Sequence, residues 1–229
     1  MKYAFLILYK EIKYFFLRKA MIKWYISIIL MNVIFVILPK FMPIEINEIG
    51  WSFIMMTFSV LLVPNTLTLD LIGGEKYHKT LETIISTPIS VRGMLYGKTI
   101  FILGLGSAAL AIISCIDFFS LKAIYKISIF DSGISSSDLL LFYAVIINAI
   151  LVIAIVGEVL ALIISNLKGC GYILTIVNLL ILKYVFNSIS DIKFDSMKAK
   201  CVLLIIINAI LLTVVTAKIS KKRVMKCVR

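Results

Sequence analysis

Apolar and polar positions follow one another along this chain in long blocks. Stretches without a single charged residue cover 24–39, 49–69, 99–116, 139–157, 169–182 and 201–217. A helix crossing the hydrocarbon core of a bilayer needs about 20 predominantly apolar residues, within a range of roughly 17–25. The run 49–69 meets that by itself. The run 24–39 meets it once extended through Ile22 and a snorkelling Lys23, and 169–182 meets it with Lys183 at an interface or facing the protein interior. The pattern predicts an all-α integral membrane protein with six transmembrane helices, organised as one domain over 1–229.

Two blocks fall outside this rhythm. In residues 1–23, Leu8, Ile12, Phe15 and Phe16 recur at i, i+4, i+7 and i+8, which is one helical face. Tyr3, Tyr9 and Tyr14 suit a headgroup boundary, so the block reads as an interfacial helix; a solvated basic tail is the alternative. The second block, 73–90, reads "GGEKYHKTLETIISTPIS". From Glu75 to Ser86 it has helical spacing, with Tyr77, Leu81, Ile84 and Ile85 on one face and Glu75, Lys79, Glu82 and Ser86 on the other. Thr87 precedes Pro88 and is pushed out of the α region, which stops the helix. Ser90 is placed to cap the third span. A helix of this length is marginal alone in water and needs a surface to pack against.

Within the spans, Pro64 removes a backbone donor and predicts a kink. Gly104 and Ala108 form a small-xxx-small pair suited to close helix contact. Asn32, Asn148, Asn178 and Asn208 read as interhelix hydrogen-bonders. Glu158, in the last quarter of the fourth span, is the candidate intramembrane functional acid; a carboxylate near the interface, hydrogen-bonded to a neighbouring helix, is the competing reading.

Composition agrees with the pattern. Of 229 residues 62% are hydrophobic, and mean hydropathy is +1.08, beyond the roughly 45–50% apolar content of a soluble domain. The net charge of +12 raises nucleic acid as a partner, but no folded basic surface is evident, and the distribution gives a different answer. With six spans, both termini and the loops 70–98 and 165–169 share one side, and that side holds 17 of the 24 Lys and Arg. The positive-inside rule then puts both termini in the cytoplasm of a multi-pass cell-membrane protein. The basic tail 218–229 fits attraction to anionic lipid headgroups of the bilayer.

Catalytic chemistry is thinly represented. "GMLYGKT" at 93–99 imitates a phosphate-binding loop, but Arg92 stands where the first glycine belongs. His78 is the one histidine and lies in a polar loop. The four cysteines have neither disulfide-framework nor zinc spacing. No enzyme activity, metal or cofactor is expected. Lys10, Glu11 and Lys13 interrupt the first apolar stretch, and no small-x-small site follows, so no cleavable leader is expected.

The segment "EKYHKTLETIISTPIS", followed by "YGK", resembles the cytoplasmic loop between the second and third spans of ABC-2 type transporter permeases. Thr80, Leu81, Glu82, Thr87, Pro88, Ile89, Ser90, Gly97 and Lys98 match that pattern. Lys79 departs from it, where the family often has glycine. The resemblance implies that 73–90 is a coupling helix docking on a separate ABC ATPase subunit, with Thr80, Leu81, Glu82, Ile84, Ile85, Thr87 and Pro88 as coupling residues. It also implies a homodimer or paired permease and an efflux function, with cargo such as an antimicrobial peptide, drug, lipidic molecule or ion. Haem-exporter permeases carry a related loop. The short 184–198 segment leaves little room for the re-entrant hairpin of larger members. The competing class is a membrane immunity protein that senses or sequesters a toxin without transport.

Overall fold

The computed structural model describes residues 2–41, 48–77, 90–127, 134–164, 166–189 and 195–218. Among these the chain is almost wholly helical and has no strand. Helix α1 is Lys2–Leu17, α2 is Lys19–Ile37, α3 is Glu48–Thr68 and α4 is the short Gly74–Tyr77. Helix α5 is Val91–Ser120, α6 is Ser136–Ile163, α7 is Leu167–Ile189 and α8 is Asp195–Lys218.

Four helical stretches are long and apolar enough to cross a membrane: Lys19–Lys40, Glu48–Lys76, Val91–Tyr125 and Ser136–Ile163. They contain the uncharged runs 24–39, 49–69, 99–116 and 139–157. Helices α7 and α8, of 23 and 24 residues, carry the other two runs. The outer surface is apolar on α2, α5, α6, α7 and α8, with Leu30, Ile112, Leu140, Leu180 and Ile206 all exposed. A bundle in water hides such side chains; one in lipid turns them outward.

Helix α3 is the centre of the bundle. Its apolar window is 72% buried, against 22% for α2, and it packs on α2, α5, α6 and α7. The main core joins Phe53 and Val60 of α3 to Ile113 of α5 and to Phe142, Ile146 and Ile150 of α6. The Phe53 and Phe142 rings meet edge to face at 4.7 Å. Helix α8 packs on α6.

Pro64 lies inside α3 as expected and is buried. One turn beyond it the helix widens into a π-helical turn, Leu69–Gly73, before α4. Such turns free backbone groups from the regular ladder, and the Leu71 carbonyl accepts a side-chain hydrogen bond there. A second π-helical turn, Leu121–Tyr125, ends α5 against Lys126, whose φ is 57°. Ser90 caps α5 as its sequence position predicts, its hydroxyl accepting from the Gly93 amide. Ser135 and Asp138 form a reciprocal capping box at the start of α6.

The α1 face differs from the one periodicity suggested. The side chains turned into the protein are Ile7, Glu11 and Phe15, whereas Ile12 and Phe16 are exposed at 41% and 67%. The spacing of four is retained, but the buried stripe is rotated because a carboxylate lies in its middle. The opposite side, with Phe5, Leu6, Tyr9 and Leu17, is exposed and apolar.

The small pair in α5 also faces elsewhere. Gly104 has open space where a side chain would stand, and Ala108 is exposed. Close packing within the chain falls to Gly106, where a Cβ would lie 3.0 Å from Ile150.

Candidate functional site

One end of the bundle gathers α1, the N-terminal turns of α5, α4 and the close of α6. Helix α1 lies along α5 because Gly97 has no side chain. A Cβ there would come within 2.7 Å of the Ala4 carbonyl oxygen and 2.9 Å of the Ile7 side chain. That approach brings Glu11 over Lys98.

Lys98 is the hub of this end. Its side chain is 1% exposed, yet its ammonium is well supplied with partners. It donates to Glu11 Oε1 at 2.9 Å and to the Leu71 carbonyl at 2.9 Å, and it lies 3.1 Å from Glu75 Oε1. Those three oxygens match the three donors of an ammonium. Lys10 closes the cluster from the surface, donating to Glu75 Oε1 at 2.7 Å and lying 3.6 Å from Glu11 Oε1. Two lysines and two glutamates thus balance in charge, as burial of ions requires. Burial works against the charge on Lys10. The hydrogen bond and charge of Glu75, with the charge of Glu11, outweigh it and raise its pKa above the ordinary lysine value.

The next residue carries the network inward. The Thr99 hydroxyl donates to Glu158 Oε2 at 3.0 Å. Glu158 is 2% exposed, and its Oε1 has no hydrogen-bond partner among the described residues. Beside it is a crevice of about 10 Å³ between α5, α6 and α8, bounded by Arg92, Tyr96 and Leu212, which has room for about one water. Gly157 lets α6 approach α3 there, since a Cβ would lie 2.8 Å from the Thr68 hydroxyl.

Two further ties fix the same end. Lys76 donates to the carbonyls of Leu162 and Ile164 at 3.0 and 3.1 Å; a cation suits the carbonyl end of α6. Arg18, at the elbow between α1 and α2, donates to both oxygens of Asp70 at 3.0 and 3.2 Å and lies over the Tyr14 ring.

A second buried polar network lies at the other end of α2 and α5. Asn32 donates to Asp117 Oδ1 at 2.5 Å, Ser52 to Oδ2 at 3.3 Å, and Ser59 to the Asn32 amide oxygen at 3.0 Å. Asp117 is fully buried. All four asparagines singled out from the sequence bond between helices: Asn178 donates to the Leu61 carbonyl, and Asn208 donates to both oxygens of Asn148.

Thr80, Leu81, Glu82, Ile84, Ile85, Thr87 and Pro88 lie outside the described residues, as do His78 and Lys79. The structure places both ends of their segment. Glu75 and Lys76 anchor its start to α1, α5 and α6, and Ser90 begins α5 at its close. Sequence reading passed over Glu11, Lys98 and Asp117 as site residues. Glu11 figured only as a charge interrupting the first apolar stretch, Lys98 only as part of the matched "YGK", and Asp117 sat just past an uncharged run. Among the described residues, no cluster of three or more His, Cys, Asp or Glu is placed to hold a metal. Compared with family models, curated proteins and solved structures, the chain has no match.

Proposed function

We propose that this chain is the six-span membrane subunit of an ATP-driven exporter, working on a separate ATPase that docks on 78–89. The observation that carries the reading is the anchoring of that segment's start. Glu75 meets a buried lysine shared with α1, and Lys76 is bonded to the end of α6. A loop that only connects two spans needs no such fixture. A loop that must transmit force does, because displacement has to reach packed helices through contacts with discrete arrangements. The resemblance of "TLETIISTPIS" to the coupling segment of ABC-2 permeases supplies the docking partner.

In this reading the charged end faces the cytoplasm, in accord with the 17 basic residues assigned to that side. ATP-driven closure of the ATPase moves 78–89. Glu75 passes the displacement to Lys98 and Glu11, and so to α5 and α1. Thr99 carries it to Glu158 on α6. Two copies of the chain, or this chain with a similar permease, enclose a cavity whose access alternates between the two sides. The shift requires that the two ATPase states contact the segment differently.

The test is reconstitution in lipid vesicles with the ATPase that co-purifies from native membranes. The reading expects that ATPase to carry its own complete phosphate-binding loop and its hydrolysis rate to change when the chain is present. An ATPase whose hydrolysis and binding are indifferent to the chain overturns it.

A further inference from the structure

At the elbow between α1 and α2 lies a groove of about 550 Å³, lined by Arg18, Lys19, Met21, Trp24, Leu67 and Asp70. That volume is within the roughly 300–1,000 Å³ usual for ligand sites. Its lining is of two kinds, Arg18, Lys19 and Asp70 being charged and Met21, Trp24 and Leu67 apolar. The division coincides with the membrane boundary read from the sequence: the uncharged run of α2 begins at Trp24, and that of α3 ends at Leu69, next to Asp70. Charges therefore lie on the aqueous side of the groove and apolar side chains on the hydrocarbon side.

The charged lining is not balanced. Asp70 is engaged by Arg18 through both of its oxygens. Lys19 is exposed and has no ion-pair partner among the described residues. One positive charge is left over, at headgroup depth and beside a tryptophan, a residue enriched at that depth. The outward side of α1 leads to the elbow with Phe16 and Leu17, both exposed.

We propose that this groove binds one anionic phospholipid. Its phosphate rests against Lys19 and the edge of Arg18, and one acyl chain runs past Trp24, Met21 and Leu67. The apolar lining selects a lipid over a soluble phosphate, and the excess charge selects an anionic headgroup over a zwitterionic one. A lipid held here ties the elbow, and with it α1, to the bilayer surface. The proposal rests on the membrane reading of the chain and not on its transport role.

The test uses the full chain in nanodiscs of phosphatidylcholine, with and without phosphatidylglycerol. Native mass spectrometry counts lipid retained after release, and a phosphatidylglycerol carrying a photoreactive acyl chain maps where it lies. The expected result is one retained phosphatidylglycerol per chain, with cross-links on 18–24 and 66–70. Lys19→Ala should weaken retention about five-fold, the usual worth of one basic side chain at an anionic surface, and Lys19→Glu more. Lys13→Glu makes the same charge change on the exposed side of α1 and should leave the bound lipid in place. Thermal unfolding of each variant identifies any that loses its fold, and Arg18→Lys then serves in its stead, with weaker retention expected. Equal loss in Lys13→Glu and Lys19→Glu, or cross-links spread evenly over the outer faces of α5 and α8, overturns the site. Equal retention of phosphatidylcholine overturns the headgroup assignment, and displacement by inorganic phosphate alone overturns the lipid.

Discussion

The Lys98 ammonium and the Glu11 carboxylate meet at 2.9 Å across 87 residues of chain, with side chains 1% and 2% exposed. Breaking a buried ion pair leaves one charge uncompensated, at a cost of about 3–5 kcal/mol. Glu11→Ala and Lys98→Ala should each lower the unfolding free energy in detergent by that order. Glu11→Leu with Lys98→Met, which removes both charges, should recover most of the loss. A double variant no more stable than the singles would show that the pair is not a unit.

Gly97 sets the distance between α1 and α5. Gly97→Val places carbon against the Ala4 backbone, and overpacking of this kind costs about 1–3 kcal/mol. Limited proteolysis should release α1 faster from this variant than from the parent chain. Gly104→Val, at a position open within the chain, should leave release unchanged.

Thr99 is the hydrogen-bond donor to Glu158 among the described residues. Thr99→Val removes it and should destabilise the chain by about 1–3 kcal/mol, the usual result of orphaning a buried polar group. Glu158→Gln keeps an acceptor in place and should preserve membrane abundance while reducing export. Wild-type export by Glu158→Gln would assign the acid to packing.

Lys10 gives a pH signature. Its folded pKa is raised above the ordinary value of 10.5. Its stabilisation is therefore fully present below that value and is lost as pH rises through the folded pKa. Lys10 is half exposed, so the gain is under about 1 kcal/mol. Lys10→Met should flatten the decline in unfolding free energy above the ordinary lysine pKa without changing it at neutral pH by more than this amount.

Much of the helical plan was legible in the sequence because membrane spans are a matter of length and charge. The first four uncharged runs lie in helices, Ser90 caps α5, and the four asparagines bond between helices. The charged end was less legible for a physical reason. A charge reads as exposed until its partner is known, and Glu11 finds its partner 87 residues away. The same carboxylate disguised the buried stripe of α1, whose apolar members Ile7 and Phe15 flank it. Asp117 was hidden in another way: it follows the last residue of an uncharged run, where helix and bundle both continue. The π-helical turn after Thr68, which offers the Leu71 carbonyl to Lys98, has no periodicity signal of its own.

The most direct test of the account is retention of the ATPase by tagged chain, compared between wild type and a variant combining Leu81→Ala, Glu82→Ala and Pro88→Ala. Truncating one buried leucine costs about 2–5 kcal/mol, which is more than ten-fold in affinity. The account predicts that the wild-type chain holds the ATPase through purification and that the combined variant, inserted in the membrane at equal abundance, loses at least nine-tenths of it, about ten-fold. Equal retention by the two chains would contradict a coupling role for 78–89 and, with it, the transport function proposed for this protein.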